Sequence, residues 1–197
     1  NEINNLKQKV DHLVSKERQL RYSSPSTVLL RRKVAIKEAE KQSKKRKQVW
    51  HWERDLMIGK NHKSAVLVIT DRKSRFNKFR KLDGKYAKTV TQEPITALRR
   101  LPKKSMSNDR GQEFSDHQGY EKKMRIKVYF CDPYSSYQRG TNENRIGALR
   151  QYLPKKTNLS NVTNKDLQKI EFEINNRPMK CLDWSTPYEV MMDKMLR

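Results

Sequence analysis

Five consecutive apolar residues, Ala65 to Ile69, interrupt a chain in which 34% of the residues are charged. A run that short and unbroken is the pattern of a β-strand covered on both faces. Such a strand commits the chain to a sheet buried inside a layered core. At 197 residues there is room for one such core and an appendage.

The flanking segments supply the rest of the sheet. In "VWHWERDLMI" the apolar residues Trp50, Trp52, Leu56 and Ile58 stand at even spacing, so period two places Asp55 on the other face. "NKFRKL" reads as a third strand before the polar turn "DGK", which makes an antiparallel meander. A helix is expected from about Tyr86 to Leu101, with Val90, Ile95, Leu98 and Leu101 as its buried stripe. Pro94 inside it should kink the helix or move its start. A short strand "KSMSND" then ends at Asp109, a helix runs through "DHQGYEKKM", and Ile126, Val128 and Phe130 alternate along a fifth strand. A further helix carries Glu143. The predicted class is α/β: a mixed five-stranded sheet of the ribonuclease H-like type, flanked by helices.

Residues 1–48 have a different texture and are expected to form a basic helical extension, with the core domain spanning residues 49–197. Ile3, Leu6, Val10, Leu13 and Val14 recur at helical spacing, "YSSPST" breaks the chain, and a second helix runs into the cationic stretch Lys44, Lys45, Arg46 and Lys47. The extension reads as a linker or DNA-binding segment.

Charge narrows the class of partner. A formal net charge of +23 predicts affinity for polyanions, nucleic acid first. No apolar run approaches the roughly 18 residues of a membrane span, and there is no hydrophobic signal core, so a cytoplasmic protein without a membrane partner is expected. Cys131 and Cys181 lack companions at metal-ligand spacing, which excludes a zinc finger; both are expected to be reduced and buried.

Against this basic background three acids stand out. Asp55 lies on the first strand, Asp109 at the end of the fourth, and Glu143 on the helix after the fifth. Carboxylates from three separate elements can hold hard divalent cations through oxygen, which phosphodiester chemistry requires. Each has a plain alternative: a solvent-facing strand residue, a turn former before Gly111, and a helix-start acid. Glu53 and Glu113 are weaker candidates, with pairing to arginine as the alternative. Tyr134, Tyr137, Gln138 and Arg139 in the loop before the Glu143 helix are candidates for stacking on bases and binding phosphate. On that helix Glu143, Gly147 and Arg150 share one face, the candidate DNA face, and Ile146, Leu149 and Leu153 share the core face. Farther on, Leu182 and Trp184 are expected to pack onto the core, with Pro178 and Pro187 punctuating helix ends.

The stretch "VWHWERDLMIGKNHKSAVLVITDRKSRF", the "DRGQEF" box, the block "VYFCDPYSSYQRGTNENRIGALRQYLPKKT" and "INNRPMKCLDWSTPYEV" together resemble the catalytic domain of insertion-sequence thirty family transposases, more distant relatives of retroviral integrases. Between Asp109 and Glu143 lie 33 residues, the spacing of that family's DDE triad. The resemblance implies a DNA transposase that performs metal-dependent 3′-end cleavage and strand transfer. It implies two Mg²⁺ or Mn²⁺ ions held by Asp55, Asp109 and Glu143. It further implies double-stranded DNA as partner, both the element's inverted-repeat ends and a target, with the protein acting as a homodimer or higher multimer at the nucleoid of a prokaryotic cell. Two alternatives stand beside it: a catalytically inactive DNA-binding remnant, and a ribonuclease H-like nuclease.

Overall fold

The computed structural model describes residues 48–60, 64–82, 87–109, 111–114, 116–131 and 140–197. Residues 1–47 of the basic extension, including Lys44, Lys45, Arg46 and Lys47, lie outside the described residues. The chain forms β1 (His51–Ile58), β2 (Ala65–Asp71), β3 (Asn77–Leu82), α1 (Ala87–Ala97), β4 (Ser105–Asn108), α2 (His117–Met124), β5 (Lys127–Phe130), α3 (Gly140–Tyr152), α4 (Asn164–Asn175) and α5 (Pro187–Leu196). Short 3₁₀ turns at Gln112–Phe114, Leu159–Asn161 and Lys180–Leu182 link them.

The strands form one sheet in the order β3-β2-β1-β4-β5. β1 pairs antiparallel with β2, as β2 does with β3, whereas β4 joins β1 and β5 in parallel. This is the mixed five-stranded sheet read from the sequence, and β2 is buried at all seven positions, as its apolar run requires.

Alternation along the strands builds two cores. On one face Trp52, Leu56, Leu67, Ile69 and Met106 pack with Val90 and Leu98 near α1, and with Tyr120 of α2. On the other, Met57, Val66, Val68 and Phe79 pack with Leu149 of α3 and Leu167 and Ile174 of α4. The burial of Leu149 and Leu153 matches the core face expected for α3, while Glu143 and Gly147 on its other face are exposed.

The edge strand β3 is protected by α4. Its amides at Asn77, Phe79 and Lys81 donate to Asn175 Oδ1 (2.8 Å), Glu171 Oε2 (3.0 Å) and Asn164 Oδ1 (2.9 Å). Those three acceptors sit seven and four residues apart, on one helical face, so polar side chains of α4 replace the missing sixth strand. Thr163 and Asp166 close a capping box at the start of α4, and Thr186 and Glu189 do the same for α5, where Pro187 occupies the first turn.

Three expectations are corrected. The helix expected to reach Leu101 ends at Ala97, and residues 98–101 continue as turns. Trp184 does not pack on the core; it is 70% exposed, while Leu182 is buried. Asp183 and Trp184 both adopt left-handed backbone (φ 53° and 65°), and the Trp184 amide is held by the Met179 carbonyl at 3.0 Å, a turn that aims Leu182 inward and Trp184 outward. Cys131 is buried as expected, but Cys181 is exposed, because in the single 3₁₀ turn it shares with Leu182 only the leucine faces the core.

Candidate active site

Asp55 lies on β1 between Glu53 and Met57 on the face covered by α3 and α4. In the parallel pair β1·β4 the last registered pair is Glu53 with Ser107, and Asp55 and Asp109 each come two residues after it along the chain. Asp109 follows the last residue of β4, and its Oδ1 accepts from the Gly111 amide at 2.9 Å, a turn that fixes the carboxylate at the strand end. A Cβ at Gly111 would stand 2.5 Å from the Glu113 carboxylate, so a larger residue there would push that flexible side chain aside.

The third acid arrives on α3. Glu53 is fully buried and bridges two elements: its Oε1 pairs with Arg72 Nε at 2.8 Å and its Oε2 accepts from the Asn142 amide at 3.2 Å. This brace seats the first turn of α3 on the Asp55 face of β1. Glu143, the next residue, is exposed in that turn. Asp55 thus lies on β1, Asp109 directly after the neighbouring β4, and Glu143 on the helix turn that Glu53 braces against β1. Among the described residues no set of three His, Cys, Asp or Glu side chains is already gathered tightly enough to hold a metal ion. Glu53 is a structural acid paired with Arg72, the arginine alternative given for it above.

Arg150, expected on the DNA face, turns back to the protein instead. Its guanidinium donates to the carbonyls of Ile58 (2.9 Å), Pro154 (3.3 Å) and Leu153 (3.5 Å), and so ties the end of α3 to the end of β1. Tyr134, Tyr137, Gln138 and Arg139 lie outside the described residues.

Behind the acids is an arrangement that sequence reading missed. Arg54, next to Asp55, points to the opposite face and is fully buried. Its Nε donates to Asn108 Oδ1 at 2.6 Å, and its guanidinium lies between the rings of Phe114 (4.7 Å) and Tyr120 (4.5 Å). Nη1 donates to the Val90 carbonyl at 3.2 Å. That carbonyl is the one four residues before Pro94, which has no N–H to offer it. Arg54 thus fills the hydrogen bond that the helix proline vacates, and it fixes Asn108 immediately before Asp109. Burial pulls its pKa down to about 10, against the opposing pull of Tyr120, Asp109 and Asp116.

Comparison with known proteins agrees with this fold. No family model matches the chain. It is 46% identical over 137 residues, 68% of its length, to the transposase for insertion sequence element IS4351 from Bacteroides fragilis. It is 40% identical over 159 residues, 79% of its length, to transposase InsI for insertion sequence element IS30C from Escherichia coli K12. Its homologues are IS30-family transposases. The chain spans less than half of each of these relatives, 42% and 41% of their lengths. Among solved structures, the catalytic core domain of BIV integrase superposes with a TM-score of 0.57 at 17% identity, covering 74% of this chain and 95% of that one. At that identity the likeness speaks for the fold, a retroviral-integrase-like core.

Proposed function

We propose that the chain is the catalytic part of a DNA transposase that cuts the 3′ ends of an insertion sequence and joins them to target DNA. The observation that carries this reading is the identity, 46% and 40%, to insertion-sequence transposases; the placing of Asp55 on β1, Asp109 just after β4 and Glu143 on the first turn of α3 supports it. The donor set is all carboxylate oxygen, which suits Mg²⁺ or Mn²⁺ and not a thiolate-seeking metal. When bound, two such ions supply charge stabilisation for the attacking and departing oxygens of an in-line displacement.

In this reading Asp55 on β1 and Asp109 directly after the parallel strand β4 are one pair of donors. Glu143, exposed on the first turn of α3, is the third donor. The Glu53–Arg72–Asn142 brace holds that turn against β1, and Arg54 holds the base of the Asp109 turn. The surplus of positive charge supports a polyanionic substrate, double-stranded DNA, first the inverted-repeat ends and then the target. Action as a multimer on two DNA ends belongs to the same reading. Among the described residues no helix is long and apolar enough to cross a membrane.

The test is Mn²⁺- or Mg²⁺-dependent nicking of a duplex ending in the element's inverted repeat. Wild-type protein should release the 3′ end, and Asp109→Asn should abolish release while still binding the duplex. A wild-type protein that binds the duplex in the presence of either metal but never nicks it would favour the inactive remnant. Preferential cutting of an RNA:DNA hybrid would favour the nuclease.

A further inference from the structure

A cleft of about 320 Å³ opens beside the first turns of α3 and is lined by Arg75, Thr141, Arg145, Met179 and Cys181 among others. Arg75 enters it from the turn after β2, in left-handed backbone (φ 63°), and donates from Nη1 to Thr141 Oγ1 at 2.7 Å. Arg145 reaches in from α3, half-buried, and the acceptor facing its guanidinium is the weak thioether sulfur of Met179, at 3.5 Å. Arg177, close enough to repel Arg145, donates to the neutral Gln151 Oε1 at 3.3 Å. None of the three is ion-paired with a carboxylate among the described residues.

Two guanidinium groups at one cleft, with a third in range to repel one of them and no paired carboxylate among the described residues, are costly to assemble. Loss of water, followed by repulsion from Arg75 and Arg177, lowers the pKa of Arg145, with Cys181 acting against it. The backbone at Arg75 is also left-handed, a conformation that non-glycine side chains adopt at a cost and that clusters at functional sites. Other enclosed cations are answered from within the chain: Arg72 by Glu53, Lys78 by Glu171, and Arg54 by Asn108, the Val90 carbonyl and two rings. In the cleft a hydroxyl and a thioether stand in those places, and among the described residues no carboxylate pairs with Arg75 or Arg145.

We propose that the cleft binds a non-scissile phosphodiester of the DNA strand, with Arg75 and Arg145 as its ligands and Arg177 at the rim. The identity of the anion as DNA rests on the transposase reading. The anion site itself rests on the cleft. Residues 143 and 145 stand about 200° apart around α3. One phosphate at the acids and another in the cleft would therefore straddle the first turn of the helix, positioning the strand across Glu143.

Cys181 is a built-in reporter, since it lines the cleft and is exposed, whereas Cys131 is buried. Duplex DNA at low salt should slow alkylation of Cys181 by N-ethylmaleimide about ten-fold, at concentrations where the same amount of inorganic phosphate does not. Arg145→Met should keep or raise the thermal midpoint, because a repelled charge is removed. It should abolish the protection and reduce the slope of log affinity against log salt by about one. The proposal is overturned if Cys181 reacts at one rate with and without bound DNA, if phosphate protects and DNA does not, or if Arg145→Met binds DNA with wild-type affinity and slope. Protection without nicking would leave the cleft standing and sink the proposed function. Nicking without protection would do the reverse.

Discussion

The two faces of β1 carry charge to opposite ends. On the even face Arg54 sits between Trp52 and Leu56 in a sealed layer, and the protein supplies its partners: Asn108, the Val90 carbonyl and two aromatic rings. On the odd face the strand begins sealed, with His51 and Glu53 buried, and is more open at Asp55. A charge enclosed on every side becomes part of the scaffold. A carboxylate at an opening edge can be completed by a cation and a substrate. The same strand thus delivers structure at residue 54 and candidate chemistry at residue 55, one peptide unit apart.

The strongest way to break this comparison is to exchange the roles. Asp55→Asn should lower metal-dependent nicking on the order of 10³-fold, equivalent to about 4 kcal/mol in the barrier, and leave the thermal midpoint within a degree or two. An Asp55→Asn protein that nicks normally would remove Asp55 from the site. Arg54→Met should do the opposite. It leaves the Asn108 carbonyl oxygen and the Val90 carbonyl without their donor, at a cost of about 3 kcal/mol in urea unfolding, while the folded fraction retains cleavage. Equal stability of the two variants would make the scaffold role untenable.

Much of this contrast was legible in the sequence, and its limits are physical. Period-two spacing separates Asp55 from Trp52 and Leu56, and the unbroken run from Ala65 to Ile69 marks the doubly covered strand, because both signals are local. The spacing from Asp109 to Glu143 also survives in one dimension. Partnerships made across the fold do not. Arg54 beside Asp55 looks like a charge crowding a metal ligand, and Pro94 looks like a damaged helix, until the fold brings them together over 36 residues at Val90. Trp184 reads as core by composition, yet two left-handed residues turn it outward. Arg75 and Arg145 are ordinary basic residues in a chain with 45 of them, and their shared cleft exists only once α3 is seated.

The sealed end of the odd face gives a pH signature. His51 Nδ1 lies 2.8 Å from Ser105 Oγ, and desolvation, followed by the charges of Lys104 and Arg72, lowers its pKa from 6.5 to about 4. The unfolded chain therefore takes up the proton first. Stability from neutral His51 is present above pH 6.5 and is lost as pH falls toward 4, on the order of 3 kcal/mol in all. His51→Gln, which keeps a polar partner for Ser105 without titrating, should flatten that part of the stability–pH curve. An unchanged curve would mean that this end of the face is as open as Asp55.

The finest test addresses how the even face was sealed. Pro94 denies the Val90 carbonyl its helical donor, and Arg54 provides another, so the two residues should be energetically coupled although far apart in the chain. In Pro94→Ala the restored N–H can bond Val90 within the helix, and Arg54 then keeps only Asn108 and the aromatic faces. Arg54→Met should consequently cost about 1 kcal/mol less in the Pro94→Ala background than in the wild type, the size expected when one buried carbonyl is no longer orphaned. A double-mutant cycle by urea unfolding reads this difference directly. Strict additivity would show that the 3.2 Å contact carries no weight, and that Arg54 is held by the rings and Asn108 alone. Coupling of the expected sign would make the helix proline a feature that recruits an arginine to the floor beneath Asp109.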